Sequence, residues 1–236
     1  MLRAVIFDMD GVLVDSHPSH MTAWRKLLHL HGKQMTESGF ELVRSGSKKE
    51  EILRWFLGDL TSDQIQLCSQ EKDAFFWEEM ENITAITGVR ELLHELNRAA
   101  VPLAVASCGS GARVQQTLKL LQIRHYFPVV VTGDDVSRGK PDPSIYRSAA
   151  AQLRVQPAES LVFEDSVAGV LAATAAGMKS VGIADQYRAQ FLLKAGAVSA
   201  FPDFAGMSFR QVRQSFSLKS NNSEYHGLSS YSPALR

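Results

Sequence analysis

A short apolar run, Ala4-Val5-Ile6-Phe7, stops abruptly at Asp8-Met9-Asp10-Gly11-Val12-Leu13-Val14-Asp15-Ser16, which brings three carboxylates into one loop. An unbroken apolar run of this length reads as a strand buried on both faces, as in a parallel sheet covered by helices. Side chains two apart in extended backbone point the same way, so Asp8 and Asp10 share one side while Met9 faces the other. Carboxylates held that close repel one another. The arrangement makes sense if a cation lies between them or if one carries a proton.

The 236 residues allow one domain or two, and 45% hydrophobic content supplies a sizeable core. Lys plus Arg and Asp plus Glu both number 25, giving zero net charge, which argues against a dedicated nucleic-acid or anionic-membrane surface. The expected partners are therefore small molecules, with the chain a monomer or weak homodimer. Met1 leads directly into the first strand without a charged and apolar leader, and no apolar run reaches the roughly 18 residues that span a bilayer. This predicts a soluble, cytoplasmic protein, in which the well-separated Cys68 and Cys108 are reduced thiols.

From His17 to about Asn82 no strand pattern appears, and helices are expected over 18–31, 50–57 and 62–80. Trp24, Leu27, Leu28 and His31 fall at the spacing of one apolar helix face. Thr61 and Gln64 form a capping-box pattern. After Gly88, helix and strand alternate: helix 89–99, strand 102–106, helix 112–121, strand 129–131, helix 142–153, strand 161–163, helix 167–176 and strand 180–184. Such alternation implies right-handed crossovers and a doubly wound, Rossmann-like parallel sheet, whose ligands bind at the carboxyl ends of the strands. The predicted α/β core spans 1–15 and 84–216, with a helical cap inserted at 16–83. A Ser- and Asn-rich tail over 217–236 is expected to be disordered.

Asp8 to Ser16 resembles the first motif of the haloacid dehalogenase-like hydrolases, in particular their beta-phosphoglucomutase-like branch of sugar phosphatases and phosphomutases. Ser107 stands where that family has its Ser or Thr phosphate ligand. Gly139-Lys140-Pro141-Asp142-Pro143 resembles its third motif and Phe163-Glu164-Asp165-Ser166-Val167-Ala168-Gly169 its fourth, all in order. The resemblance implies a Mg²⁺-dependent phosphatase acting on a small phosphorylated metabolite, a sugar or polyol phosphate, through an aspartyl-phosphate intermediate. A phosphomutase such as beta-phosphoglucomutase is the alternative, and a catalytically silent phosphometabolite-binding module is the alternative of another class.

Phosphate monoester hydrolysis is among the slowest uncatalysed reactions, so nucleophile, acid, cation and fixed donors must act together. On the resemblance, Asp8 is the nucleophile and Asp10 the general acid and base, while Asp15 takes a structural part, bonding its loop or capping the next helix. Ser107, with the amides of Cys108 and Gly109, would hold phosphate oxygens. Lys140, presented from a stiff Pro-flanked loop, would hold charge near Asp8. Asp165 would bind the metal directly with Asp8 and the Asp10 main-chain oxygen, and Glu164 directly or through water. In the cap, His20 and Trp24 both match residues of the beta-phosphoglucomutase pattern, where the histidine contributes to substrate gating. Lys49, in Gly46-Ser47-Lys48-Lys49-Glu50, lies near the place of a phosphate-binding arginine. The loop Cys108-Gly109-Ser110-Gly111 lacks the lysine and asparagine with which the mutase grips its sugar. Cys108 with Arg113 does not have the spacing of a cysteine phosphatase loop, which leaves Cys108 as a small filler.

Overall fold

In a computed structural model, which describes residues 1–44 and 49–218, the chain forms a parallel sheet wrapped by helices, with four further helices inserted after the first strand. In chain order these are β1 (Ala4–Phe7), β2 (Val14–Asp15), α1 (His17–Leu30), α2 (Glu37–Arg44), α3 (Lys49–Leu57) and α4 (Ser62–Glu78). There follow β3 (Thr84–Ala85), α5 (Val89–Arg98), β4 (Leu103–Ala106), α6 (Gly111–Leu120), β5 (Val129–Val131), α7 (Ser144–Gln152) and β6 (Ser160–Glu164). The chain continues through α8 (Val167–Ala175), β7 (Lys179–Ile183), α9 (Gln186–Ala195), β8 (Ser199–Phe201) and α10 (Phe209–Ser217).

The six-stranded sheet runs β5-β4-β1-β6-β7-β8 with every pairing parallel, as the alternation of elements implied. Strand order reverses about β1, so the carboxyl ends of β4, β1 and β6 border one crevice. The period of two explains why these strands are apolar throughout. Val5, Phe7, Leu103, Val105, Leu161 and Phe163 pack against α5, α6 and α10, whereas Ile6, Ala104, Ala106 and Val162 face α7 and α8. Phe7 stacks on Phe163 at 5.1 Å, and Phe204 meets Phe163 edge-on at the same separation. Each such pair contributes about 0.5–1.5 kcal/mol beyond burial.

The inserted helices have their own core of Trp24, Leu27, Leu28, Ile52, Leu53, Phe56 and Cys68. Thr61 and Gln64 form the expected capping box at the start of α4. The insert is entered through β2 and left through β3, which pair antiparallel with Val14 opposite Ala85 and Asp15 opposite Thr84. Four helices stand where three were expected. The additional α2 is only eight residues long and contains Gly39, and its start is set by the Thr36 hydroxyl, which accepts from the Gly39 amide at 3.1 Å.

Other expectations need correction. Asp15 is exposed within β2, and the N-cap position of α1 is Ser16, whose hydroxyl turns to Asp10. His31 lies past the apolar face of α1 and is exposed, because the helix has already closed at Leu30. The helix expected from Asp142 begins at Ser144, since Asp142 accepts from the Ser144 amide and so serves the turn before it. The final α9, β8 and α10 add a sixth strand and its cover. Gly46 to Lys48 and the tail from 219 onward lie outside the described residues. Among the described residues, no helix is long and apolar enough to cross a membrane.

Candidate active site

Three adjacent strands deliver three carboxylates and a serine. Asp8 follows β1, Ser107 follows β4, and Glu164 ends β6 with Asp165 next to it. All four residues are buried. Lys140 comes from the loop between β5 and α7, and its Nζ lies 2.5 Å from Asp8 Oδ1, 2.6 Å from Glu164 Oε1 and 3.2 Å from the Ala106 carbonyl. The small Ala104 and Ala106 on this face leave room for the lysine and for Tyr146, whose hydroxyl donates to Glu164 Oε1 at 2.7 Å. Glu164 Oε2 accepts from the Ser166 amide and hydroxyl at 2.8 and 3.0 Å. Both oxygens of Glu164 are thus engaged by the protein, and this carboxylate anchors Lys140. Gly169 is required beside it, because a Cβ there would run into the Glu164 carboxylate.

Burial is the largest influence on Asp8, and with Glu164 and Asp10 nearby it pushes the carboxyl up to about 7 against the pull of Lys140. Asp165 is likewise raised well above the ordinary carboxylate range by burial, Glu164 and Asp8. Lys140 is desolvated, but Asp8 and Glu164 outweigh that and hold it well above the usual lysine value. Asp8, Glu164 and Asp165 each offer an oxygen within 4.8 Å of the others. Asp165 Oδ2 is buried without a hydrogen-bond donor, although His17 Nε2 and Arg188 Nη1 lie 3.4 and 3.7 Å away. An orphaned carboxylate oxygen beside further carboxylates is an oxygen-donor set suited to a hard divalent cation. Gly11, at φ +76°, lets the loop after β1 pass close to Asp165, where a Cβ would collide with the carboxylate.

Asp10 is held differently. Arg113 Nη1 and Nη2 donate to its two oxygens at 2.8 and 2.7 Å, and the Ser16 hydroxyl donates to Oδ1 at 2.6 Å. Burial alone would raise Asp10, but Arg113 and His20 prevail and hold it well below the carboxylate range. His20 Nε2 is 3.4 Å from Asp10 Oδ1, its Nδ1 is 2.7 Å from Lys72 Nζ, and its ring stacks on Phe76 at 4.3 Å. In its charged form Lys72 can only donate, which makes Nδ1 the acceptor and leaves the hydrogen on Nε2, 3.4 Å from both Asp10 Oδ1 and Arg113 Nη1. Burial and the Lys72 charge push His20 down to about 3, which keeps the imidazole neutral. Burial and the Arg113 charge in turn lower Lys72 to about 7.

The structure brings the predicted cap residues to this cleft as well, with one change in character. His20, Trp24 and Lys49 line it together with Cys108, Gly109, Ser107 and Lys140. Lys49 donates to both oxygens of Asp73 at 2.6 Å, so its charge is already paired. The Gly109 amide donates to Ser107 Oγ at 3.1 Å, a tight turn that aims the loop at the cleft. Burial raises the Cys108 thiol, which suits a filler and not a nucleophile. Sequence reasoning missed Lys72, Tyr146 and the roles of Ser16 and of Arg113, which it weighed only beside Cys108. A signal for Lys72 was present: Cys68, Lys72 and Phe76 recur every four residues and are the buried face of α4. Arg113 likewise shares the buried face of α6 with Val114, Thr117 and Leu118.

A family model for haloacid dehalogenase-like hydrolases matches residues 5–183. Validoxylamine A 7'-phosphate phosphatase of Streptomyces hygroscopicus subsp. limoneus is 33% identical over 195 residues, covering 83% of this chain and 92% of that protein. The phosphorylated carbohydrates phosphatase of Thermotoga maritima is 34% identical over 206 residues, covering 84% and 93%. Among solved structures, a beta-phosphoglucomutase from Clostridium difficile superposes with a TM-score of 0.82 at 25% identity, covering 92% of this chain and 97% of that one. With its motifs in order at the ends of β1, β4 and β6, this chain belongs to the haloacid dehalogenase-like hydrolases.

Proposed function

We propose that the protein is a Mg²⁺-dependent phosphatase for a small phosphorylated carbohydrate or polyol. The observation that carries this reading is the buried cluster in which Asp8 is bonded to Lys140 and lies within reach of the orphaned Asp165 oxygen. Asp8 and Asp165 would hold the cation with the Asp10 main-chain oxygen. Glu164, its oxygens engaged, would act through Lys140 and through water. Bound there, Mg²⁺ would neutralise charge on the transferring phosphoryl group.

In this reading an Asp8 oxygen attacks phosphorus, and the phosphoryl group passes to it as an aspartyl phosphate while the ester oxygen leaves. Ser107, the Gly109 turn and Lys140 hold the equatorial oxygens. The leaving oxygen takes its proton from Asp10, which later accepts one from the attacking water. Asp10 is held as a carboxylate by Arg113, so the acid role requires that grip to be loosened. Phosphate oxygens compete for the same guanidinium, and their arrival would free Asp10 to protonate. The cleft encloses about 180 Å³, below the roughly 300–1,000 Å³ of ordinary ligand pockets. A sugar phosphate therefore enters when the helical insert, a cap in this reading, swings on the β2–β3 ribbon. The soluble cytoplasmic placement expected from the sequence belongs to the same reading.

The test is a panel of sugar and polyol phosphates followed by ³¹P NMR with Mg²⁺ present. Release of inorganic phosphate, stopped by EDTA, supports the reading. The likeness to a beta-phosphoglucomutase keeps phosphoryl transfer to a second sugar hydroxyl as the competing outcome. Interconversion of glucose 1- and 6-phosphate faster than phosphate release would replace hydrolase by mutase.

A further inference from the structure

Where the end of α1 meets the middle of α4, His31, Cys68 and Glu71 converge. His31 is the C-cap residue of α1, and Cys68 and Glu71 sit three apart on α4, hence on one face. His31 Nε2 lies 3.1 Å from Glu71 Oε2 and 3.7 Å from Cys68 Sγ, and all three atoms fall within 4.8 Å of one another. A tetrahedral zinc ion bonds nitrogen at about 2.0–2.1 Å, sulfur at about 2.3 Å and carboxylate oxygen at about 2.0–2.2 Å. Those bond lengths place nitrogen and oxygen ligands about 3.4 Å apart and nitrogen and sulfur ligands about 3.6 Å apart. The observed separations lie within a few tenths of an ångström of both.

The exposure is also that of a site an ion can enter. Cys68 is buried, while the side chains of His31 and Glu71 are 32% and 29% exposed, leaving an open side for a water as fourth ligand. None of the three takes part in the proposed phosphoryl transfer. The donor set of imidazole, thiol and carboxylate selects against Mg²⁺, which takes oxygen ligands, and for a borderline-soft divalent ion.

We propose that His31, Cys68 and Glu71 form a second metal site, distinct from the catalytic cluster, that binds zinc or a closely similar divalent ion. On binding, the Cys68 S–H bond breaks and its proton passes to solvent, the thiolate sulfur bonds the metal, and His31 binds through the lone pair on Nε2 while its hydrogen stays on Nδ1. The ion ties the end of α1 to α4. These helices carry His20 and Lys72, so the clamp braces the pair that meets over Asp10.

Co²⁺ titration of the full chain gives a readout that the all-oxygen catalytic cluster cannot produce. The expected result is a thiolate-to-cobalt charge-transfer band with the visible bands of a tetrahedral site, saturating at one equivalent and bleached by Zn²⁺. Cys68→Ser should abolish the charge-transfer band, the partly exposed Glu71→Gln should weaken cobalt binding at least tenfold, and Cys108→Ser should leave the band intact. Circular dichroism establishes that each variant is folded, and Glu71→Gln keeps the test open should Cys68→Ser unfold. Absence of the band in the wild type, its persistence in Cys68→Ser, or unchanged affinity in Glu71→Gln would overturn the site and leave an ordinary His31–Glu71 ion pair.

Discussion

Arg113 clasps Asp10 through both carboxylate oxygens, at 2.8 and 2.7 Å, from a position 103 residues further along the chain. A planar fork of this kind fixes orientation as well as charge. Arg113→Ala should lower kcat/KM for a sugar phosphate by about tenfold or more, which corresponds to about 1.4 kcal/mol of transition-state stabilisation. Arg113→Lys keeps the charge, loses the fork and should fall between. Steady-state kinetics decide it, and an alanine variant as active as the wild type would show that Asp10 is positioned without the arginine.

Asp8 must be ionised to bind a cation, yet in the metal-free protein it is pushed up to about 7 by burial and by Glu164 and Asp10. At pH 6 only about one tenth of it is ionised, so Mg²⁺ affinity should drop about tenfold relative to pH 8. Calorimetric titration at the two pH values measures this. Equal affinity would mean that the carboxyl is already charged at pH 6.

His20 is held down to about 3 by burial and by Lys72, so its ring should stay neutral across the ordinary working range, with hydrogen on Nε2. Removing the lysine in Lys72→Met removes the repelling charge and raises His20 toward the ordinary histidine value, so that protonation begins at higher pH. Long-range ¹H–¹⁵N spectra of the ring report both tautomer and titration. A wild-type His20 that titrates near 6 would contradict the assignment.

Tyr146→Phe deletes one donor to a fully buried Glu164 oxygen. A hydrogen bond to a charged group is worth about 1.5–3 kcal/mol, and urea unfolding should show a loss of that order. Because Lys140 still reaches Glu164, activity should fall less than in Lys140→Ala. A variant as stable as the wild type would mean that water or a neighbouring group replaces the hydroxyl.

The legible part of this protein is the edge of its sheet. Asp8, Ser107 and Asp165 could be placed because each interrupts or follows an apolar run, and carboxylates at the end of a buried strand have few structural reasons to be there. Arg113 and Lys72 were not legible in the same way, since a charged residue on a helix is ordinarily solvated. Their burial follows from α4 and α6 meeting across the cleft, a tertiary relationship that spacing alone does not encode. Lys49 shows the converse. Its position suggested a free cation, and Asp73, on another helix, already pairs it. Of the elements after Ala184, α9 has no clear apolar face and β8 contributes only Ser199, Ala200 and Phe201, whereas α10 carried a readable signal that was passed over, an apolar face of Phe209, Val212 and Phe216 behind a Ser208–Gln211 capping box.

The central claim is that Asp8 accepts the phosphoryl group. Asp8→Asn keeps the size of the side chain but removes the nucleophilic carboxylate, so the direct measurement is phosphate release by this variant beside the wild type, with Mg²⁺ and a generic aryl phosphate. The account predicts a loss of about a thousandfold or more, as expected when a nucleophile is deleted. Equal rates in the two proteins would contradict it.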